Sequence, residues 1–551
     1  MSTFLTKAIF SLKTRKEKFS LFALLVVAEA TYFFFQVQWD PDSYHDGFVF
    51  ASAVAVSEGK LPNRDAFALY GPVMPELQGI WLRFTSVQLI QLRILSSILI
   101  FITSILIYIL IRDKLNIKLA FLCSLTWVIG NPLITTATMP WPDVLTTLIT
   151  LVIILLHRMK RSTSLRSTAI ALLIIIGSLT RINFLPVLVV VSLYFTIKIF
   201  QKEEIDQARV FFYSLFSIIT LLVYFLHIKG LLFPYYKQCI EYAFQMHSQE
   251  RTLRGLLNFR VLIFGLIIVV LSQLYLKLEL LRARFKIFLL PTLTVFSIVI
   301  FTFSGINRKP EIPYTSAGKN LIENIYLFIR NVPYTYLYFT VFIALLNIVY
   351  LLMTKSKLNL EYVLTIATLT QLYPSPNINR IWFIAPILIS SNARYLSTVL
   401  PINFHKRQEH ILRFLYLPTL VSLICIFVMQ LQSTRVPFES KVLVGMKGSP
   451  KNVRVLDENI SKLNSYPLKN NVRFECTRGL FSVSDGKYNA KDENYVNLIP
   501  PFNHNKVKSD YVFYCDLESQ KLSKLLANGY KLEFQTESNL DGMSNALFKL
   551  N

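Results

Sequence analysis

Long apolar runs constrain this chain more than any other feature. Windows at about 19–37, 87–111, 117–133, 141–157, 168–182, 184–200, 210–229, 261–277, 286–304, 333–353, 359–373, 381–398 and 411–430 are each predominantly apolar. A helix crossing the hydrocarbon core of a bilayer needs ~20 such residues, and its backbone polar groups must be satisfied within the segment. About thirteen repetitions therefore specify an all-α polytopic membrane protein. A mean hydropathy of +0.46 over 551 residues excludes an ordinary soluble chain. The first run follows Lys7, Lys13, Arg15, Lys16 and Lys18. It lacks a small-x-small cleavage site and reads as a retained first span with a cytoplasmic N-terminus.

Charge orients the spans. The net charge of +24 could suggest nucleic acid, but the surplus Lys and Arg fall in connectors near 112–118, 158–166, 198–209, 282–286, 355–357 and 406–413. These are alternate connectors, as in the positive-inside pattern of a multi-pass protein of the cytoplasmic (inner) membrane. An odd number of spans then places the C-terminus outside. Two regions follow: a transmembrane region 1–430, and a polar region 431–551 that reads as a small extracytoplasmic α/β domain. In the latter, strands are expected at Tyr511–Cys515, Lys531–Phe534 and Ala546–Leu550, with a helix at Gln520–Asn528. Cys476 and Cys515 share this region, and spacing leaves their pairing open.

The connectors on the other side are longer and richer in Pro, Tyr and Asn. The first, 38–86, gathers Asp40, Asp42, Asp46, Glu58 and Asp65 in an otherwise basic chain. Apolar residues recurring through FASAVAVSEG predict an amphipathic helix along the membrane surface, begun near Asp46 and stopped at Gly59. Asp46 at such a helix start either caps it or does chemistry. Residue types alone do not choose.

A membrane helix, then Asp46-Gly47, a surface helix, Gly59, Pro62, Arg64-Asp65 and Tyr70-Gly71-Pro72 form a pattern. It resembles the first extracytoplasmic loop of C-type (GT-C) glycosyltransferases, most like bacterial relatives of the protein mannosyltransferases and the lipid A aminoarabinose transferase. The resemblance implies a GT-C-like fold and transfer of a sugar from a polyprenyl-phosphate carrier to an envelope glycan, lipid or protein acceptor at the outer face, commonly with inversion. It places Asp46 at the essential acid, as general base or acceptor-orienting group, with Asp65 second, or equally as a salt-bridge partner that ties the loop's two halves together. Asp40 and Asp42 match less well, as acceptor or cation groups or as solvated loop acids. No cofactor is implied with certainty, and a loop carboxylate leaves room for a divalent cation. His45 has no second His nearby, and no Cys/His spacing points to a metal site.

A lipid-phosphate leaving group needs preorganised cations, and the arginine fork suits phosphate. Arg181 in GSLTRINFLP and Arg380 in YPSPNINRIWFIAP stand at the outer ends of apolar windows, where charge is costly. The competing reading is snorkelling to lipid headgroups. Weaker candidates among the loop cations include Arg251 and Lys319. Asp143, in the PWPD turn, reads either as a second acid or as a helix N-cap.

Two other classes fit the composition. A transporter or flippase of lipid-linked sugars should hold ionisable groups near mid-membrane, whereas here they are expected at span ends and in loops. An O-antigen polymerase or ligase should concentrate its key residues in a late loop rather than the first.

Overall fold

The computed structural model describes residues 16–39, 41–42, 45–66, 68, 70–115, 117–129, 141–159, 163–241, parts of 337–348, 359–372, 378–399, 424, 435–466, 472–475, 479–483, 486–487, 511–527, 529–538 and 543–549. The first apolar window forms helix α1 (Lys16–Gln36). The loop after it folds into α2 (His45–Ser57) and α3 (Val73–Phe84). Apolar helices α4 (Leu89–Ile111), α5 (Ile117–Ile129), α6 (Pro142–Arg158), α7 (Thr163–Thr180), α8 (Leu185–Phe200) and α9 (Ile205–Ile228) follow. Further along come α10 (Leu360–Leu369) and α11 (Ile378–Val399).

Among the described residues, Leu89–Ile111, Ile182–Phe200 and Ile205–Ile228 are long and apolar enough to cross a membrane. The windows at 261–277 and 286–304, with almost all of 411–430 and most of 333–353, lie outside the described residues. The count of about thirteen spans therefore stands as an expectation. The helices share one core, in which Leu110, Trp127, Ile154, Ile174, Val191 and Trp382 are buried together. By contrast α9 leaves Tyr213, Phe216, Leu221 and Tyr224 exposed, as a lipid-facing helix would.

Helix α1 departs from the expectation that charge keeps to the ends of spans. Glu29, near its middle, is fully buried and accepts a hydrogen bond from Ser104 Oγ of α4, while its Oε2 has no partner among the described residues.

The C-terminal region carries an antiparallel pair, β1 (Val436–Pro437) with β2 (Lys447–Gly448), and a four-stranded sheet in the order β3-β4-β6-β5. Its strands are β3 (Val472–Glu475), β4 (Tyr511–Glu518), β5 (Lys531–Glu537) and β6 (Met543–Lys549). β3 runs parallel to β4 and the other pairs are antiparallel. Helix α13 (Ser519–Ala527) follows β4, as the sequence pattern expects. Strand β3 and helix α12 (Pro450–Ser465) are additions to that reading. The start of α12 has a clear local cause: Ser449 Oγ accepts from Asn452 N, and Pro450 occupies the first turn. Cys515 is disulfide-bonded, and Cys476 lies outside the described residues.

This sheet region is seated on the first loop, which corrects the reading of α2 as a surface helix. Every residue from Phe48 to Val56 is buried. One face of α2 packs on α3, where Gly79 leaves no room for a Cβ beside Val56. Across α2 lies the turn Gly479–Val483, and Leu480, Phe481, Phe438 and Leu443 share its core cluster. The run FVFASAVAV is apolar all round, as expected of a helix buried on all sides. The start of the cap also clips the end of α1: Lys447 N donates to Gln38 O at 2.8 Å, and Arg435 lies 3.9 Å over the Trp39 ring.

Candidate active site at the first-loop pole

Asp46 stands in the first turn of α2, where the backbone at Asp42 reaches back to it. Asp42 N donates to Asp46 Oδ2 at 3.0 Å, and Gly47 N donates to Asp42 O at 3.2 Å. From α4, Arg93 closes the arrangement: its Nη2 donates to Asp46 Oδ2 and its Nη1 to Trp39 O. Both side chains of this ion pair are 0% exposed, and Asp46 Oδ1 has no hydrogen-bond partner among the described residues. Burial raises the Asp46 carboxyl above the ordinary carboxylate range; Arg93 opposes this and the charge of Asp42 adds to it. Arg93 was not singled out in the sequence. The signal that flagged Arg181 and Arg380, a lone arginine near the end of an apolar run, applies equally to it.

A second cluster gathers around the Tyr-Gly-Pro turn. Gly71 has φ +142°, and a Cβ there would lie 2.1 Å from Leu179 O, so only glycine lets the turn press against the end of α7. That contact places Tyr70 beneath the guanidinium of Arg181, 5.1 Å from Cζ to ring centroid, and edge-on to Trp141 at 5.5 Å. Arg181 pairs with Asp143. Asp143 is thus not a helix N-cap: Trp141 holds that position with Pro142 after it, and the carboxylate turns to arginine. Arg380, in the first turn of α11, lies close enough for its charge to act against that of Arg181. A cleft with about 280 Å³ of empty space adjoins this cluster, lined by Phe48, Val49, Ser52, Tyr70, Gly71 and Gln78 among others. Much of that space is open to solvent, and the enclosed part is about 20 Å³, far below the ~300–1,000 Å³ usual for small-molecule sites, so the cleft is one corner of a site. Val49 and Ser52 belong to the same helix as Asp46, which links the two clusters.

Asp65 belongs elsewhere. Arg64 grips it with Nε to Oδ1 at 2.7 Å and Nη2 to Oδ2 at 2.8 Å, and Leu61 N donates to Oδ2 at 2.9 Å. The Arg64 hydrogen bonds, chiefly, hold its carboxyl below the ordinary range. Its contacts build the 61–65 turn and reach neither Asp46 nor Arg181. The adjacent Asn63, at φ +66°, exchanges hydrogen bonds with Gln238, whose Oε1 also accepts from Ala68 N. This anchor for the loop escaped the sequence reading. Asp40, Arg251 and Lys319 lie outside the described residues. Among the described residues, no three His, Cys, Asp or Glu side chains converge on one point.

Fold and site together define a helical membrane protein whose first-loop pole carries buried charge and is sealed by an α/β cap. No family model matches the chain, and no curated protein matches it significantly. Among solved structures it is similar to ArnT from Cupriavidus metallidurans bound to undecaprenyl phosphate, at 10% identity, TM-score 0.47, over 96% of this chain and 97% of that one. It is also similar to the archaeal oligosaccharyltransferase AglB from Archaeoglobus fulgidus, in complex with an inhibitory peptide and a dolichol-phosphate. There the identity is 12% and the TM-score 0.46, over 96% of this chain and 74% of that one. At TM-scores below 0.5 the likeness assigns neither substrate nor site residue to this chain.

Proposed function

We propose that the chain is a glycosyltransferase that moves a sugar from a polyprenyl-phosphate carrier to an acceptor at the outer face of the cytoplasmic membrane. The observation that carries this reading is the stacking of Arg181 on Tyr70 of the first-loop pattern, within reach of the charge of Arg380 and beside a mainly apolar cleft. A carrier of this kind presents an anionic head on an apolar tail. Guanidinium groups at the end of an apolar bundle match both parts. The disulfide at Cys515 supports placing the cap in an oxidising compartment, hence outside the cytoplasm.

In this reading Asp46 is the general base. It takes the proton of the acceptor hydroxyl as that oxygen bonds to the anomeric carbon, and the carbon–phosphate-oxygen bond breaks with its electron pair leaving on the carrier phosphate, with inversion. Arg93 keeps the carboxylate charged and aimed until the acceptor arrives. Because Asp46 is enclosed, the acceptor enters by parting the first loop, on the side where Val49 and Ser52 line the cleft. Asp65 serves this chemistry by shaping the turn. The test is to incubate membranes with a panel of radiolabelled polyprenyl-phosphate sugars. Label leaving one carrier for an envelope acceptor is expected, and retention on every carrier would refute the proposal.

One observation favours a second reading. Glu29, buried near the middle of α1, is the kind of group a transporter or flippase of lipid-linked sugars uses. In proteoliposomes that reading expects carrier movement between leaflets without any sugar transfer.

A further inference from the structure

Helix α11 carries Pro386 in its interior. Proline has no N–H, so the carbonyl four residues earlier, that of Trp382, loses its helical partner, and the ring favours a bend at that point. One of the hydrogen bonds that tie the first turns of α11, Arg380 among them, to the rest of the helix is therefore missing. The structure compensates from outside. Trp127 Nε1, on α5, donates to Trp382 O at 2.9 Å. Trp382 Nε1 returns a bond to Trp127 O at 2.7 Å. Trp127 lies in the last turn of α5, ahead of Gly130-Asn131-Pro132, where carbonyls lack partners within their own helix. The two indoles stack at 4.9 Å and 7°, and both are buried. One residue on, Phe383 O accepts from Thr147 Oγ1 of α6 at 2.7 Å.

We infer that the reciprocal Trp127–Trp382 clasp is the positioning device that aims Arg380 at the carrier phosphate. Arg380 and Trp382, two apart on one helix, face different directions. Holding Trp382 against α5 therefore sets the rotation of the helix turn that carries Arg380, whose charge acts on Arg181. Ordinary core packing would need the stacked rings but not the paired N–H donors, one of them aimed at the carbonyl that Pro386 leaves without a helical partner. The inference rests on the reading of Arg181 and Arg380 as the donor-phosphate site.

The experiment measures binding of radiolabelled undecaprenyl phosphate to the full chain in detergent, for wild type, Arg380→Gln, Trp127→Phe and Trp127→Phe/Pro386→Ala. Phenylalanine keeps an aromatic ring and removes the donor. Alanine at 386 gives the Trp382 carbonyl an N–H of its own helix. Arg380→Gln should weaken binding about tenfold or more, Trp127→Phe roughly three- to tenfold, and the double variant should recover most of that loss. Weakening by Arg380→Gln with none from Trp127→Phe overturns the clasp alone. Loss in Trp127→Phe without recovery in the double variant overturns the Pro386 link. Unchanged binding by Arg380→Gln removes the donor-site reading and the clasp with it. Should Trp127→Phe fail to accumulate, Trp382→Phe is measured instead, and a loss under twofold there counts against the inference.

Discussion

The two poles of the bundle use the same residue types to opposite ends. At the pole away from the first loop, Glu361 of α10 is fully buried and both oxygens are taken. Oε1 accepts from Arg158 Nη2 and from Ser390 Oγ at 3.1 Å, and Oε2 accepts from Arg394 Nη1 at 2.8 Å. Arg158 also reaches Leu110 O at 2.6 Å, so one carboxylate knots α4, α6, α10 and α11. At the first-loop pole, Asp46 of α2, paired with Arg93 of the same α4, is equally buried, but one of its oxygens has no partner among the described residues. A closed network stabilises helix packing. An open one stores an unmet interaction that a reacting hydroxyl can complete.

If that contrast is right, the two carboxylates fail differently when altered. Asp46→Asn should cut sugar transfer by about 10²–10⁴-fold with protein level and membrane insertion intact; near-normal transfer would remove Asp46 as the base. Glu361→Gln should do the reverse, leaving turnover per folded molecule nearly unchanged. It should cost stability at the low end of ~3–5 kcal/mol, because its arginines are partly exposed, and a lowered Tm in detergent reads this. A Tm loss of that size for Asp46→Asn as well would erase the distinction between the poles.

Gly71→Ala should act on the first-loop pole without touching a charge. The added Cβ meets Leu179 O, so Tyr70 must leave Arg181. A rise of roughly tenfold in the KM for the carrier-linked donor, with a smaller change in kcat, is the outcome expected of a misplaced binding group. The smallest effect is the pH dependence. Asp46 works as a base only when ionised, and burial raises its carboxyl above the ordinary value. Activity should hold above that raised pKa and fall as pH drops through it, so the acid limb lies above the ~4 of an unperturbed carboxylate. A limb at or below 4 would mean that Asp46 is not so buried in the working enzyme.

How far the sequence could be read depended on the range of the forces involved. Helices α1 and α4 through α11 coincide with apolar windows, because the demand for a continuous apolar segment is local and repeats in every span. Strands β4, β5 and β6 were visible in the same way. Helix α2 was located correctly and its surroundings were not: FVFASAVAV says that a helix is buried, but not that Phe481 and Leu443 from the far end of the chain would bury it. Among the site residues, Asp46, Arg181, Arg380 and Asp143 stood out as charges at the margins of apolar runs. Their partners did not, since nothing in the spacing pairs Arg93 with Asp46 or Asp143 with Arg181.

By itself, then, the sequence determined the helical membrane class, the basic and acidic connectors, the acid-bearing first loop and the strands of the polar tail. Each follows from the local solvent preference of consecutive side chains. Only the tertiary structure decided that the tail seals the first loop, that Arg93 neutralises its acid, and that Pro386 hands the Trp382 carbonyl to an indole on another helix. Those outcomes turn on contacts between groups distant in the chain, where geometry selects one partner among many of the same chemical kind.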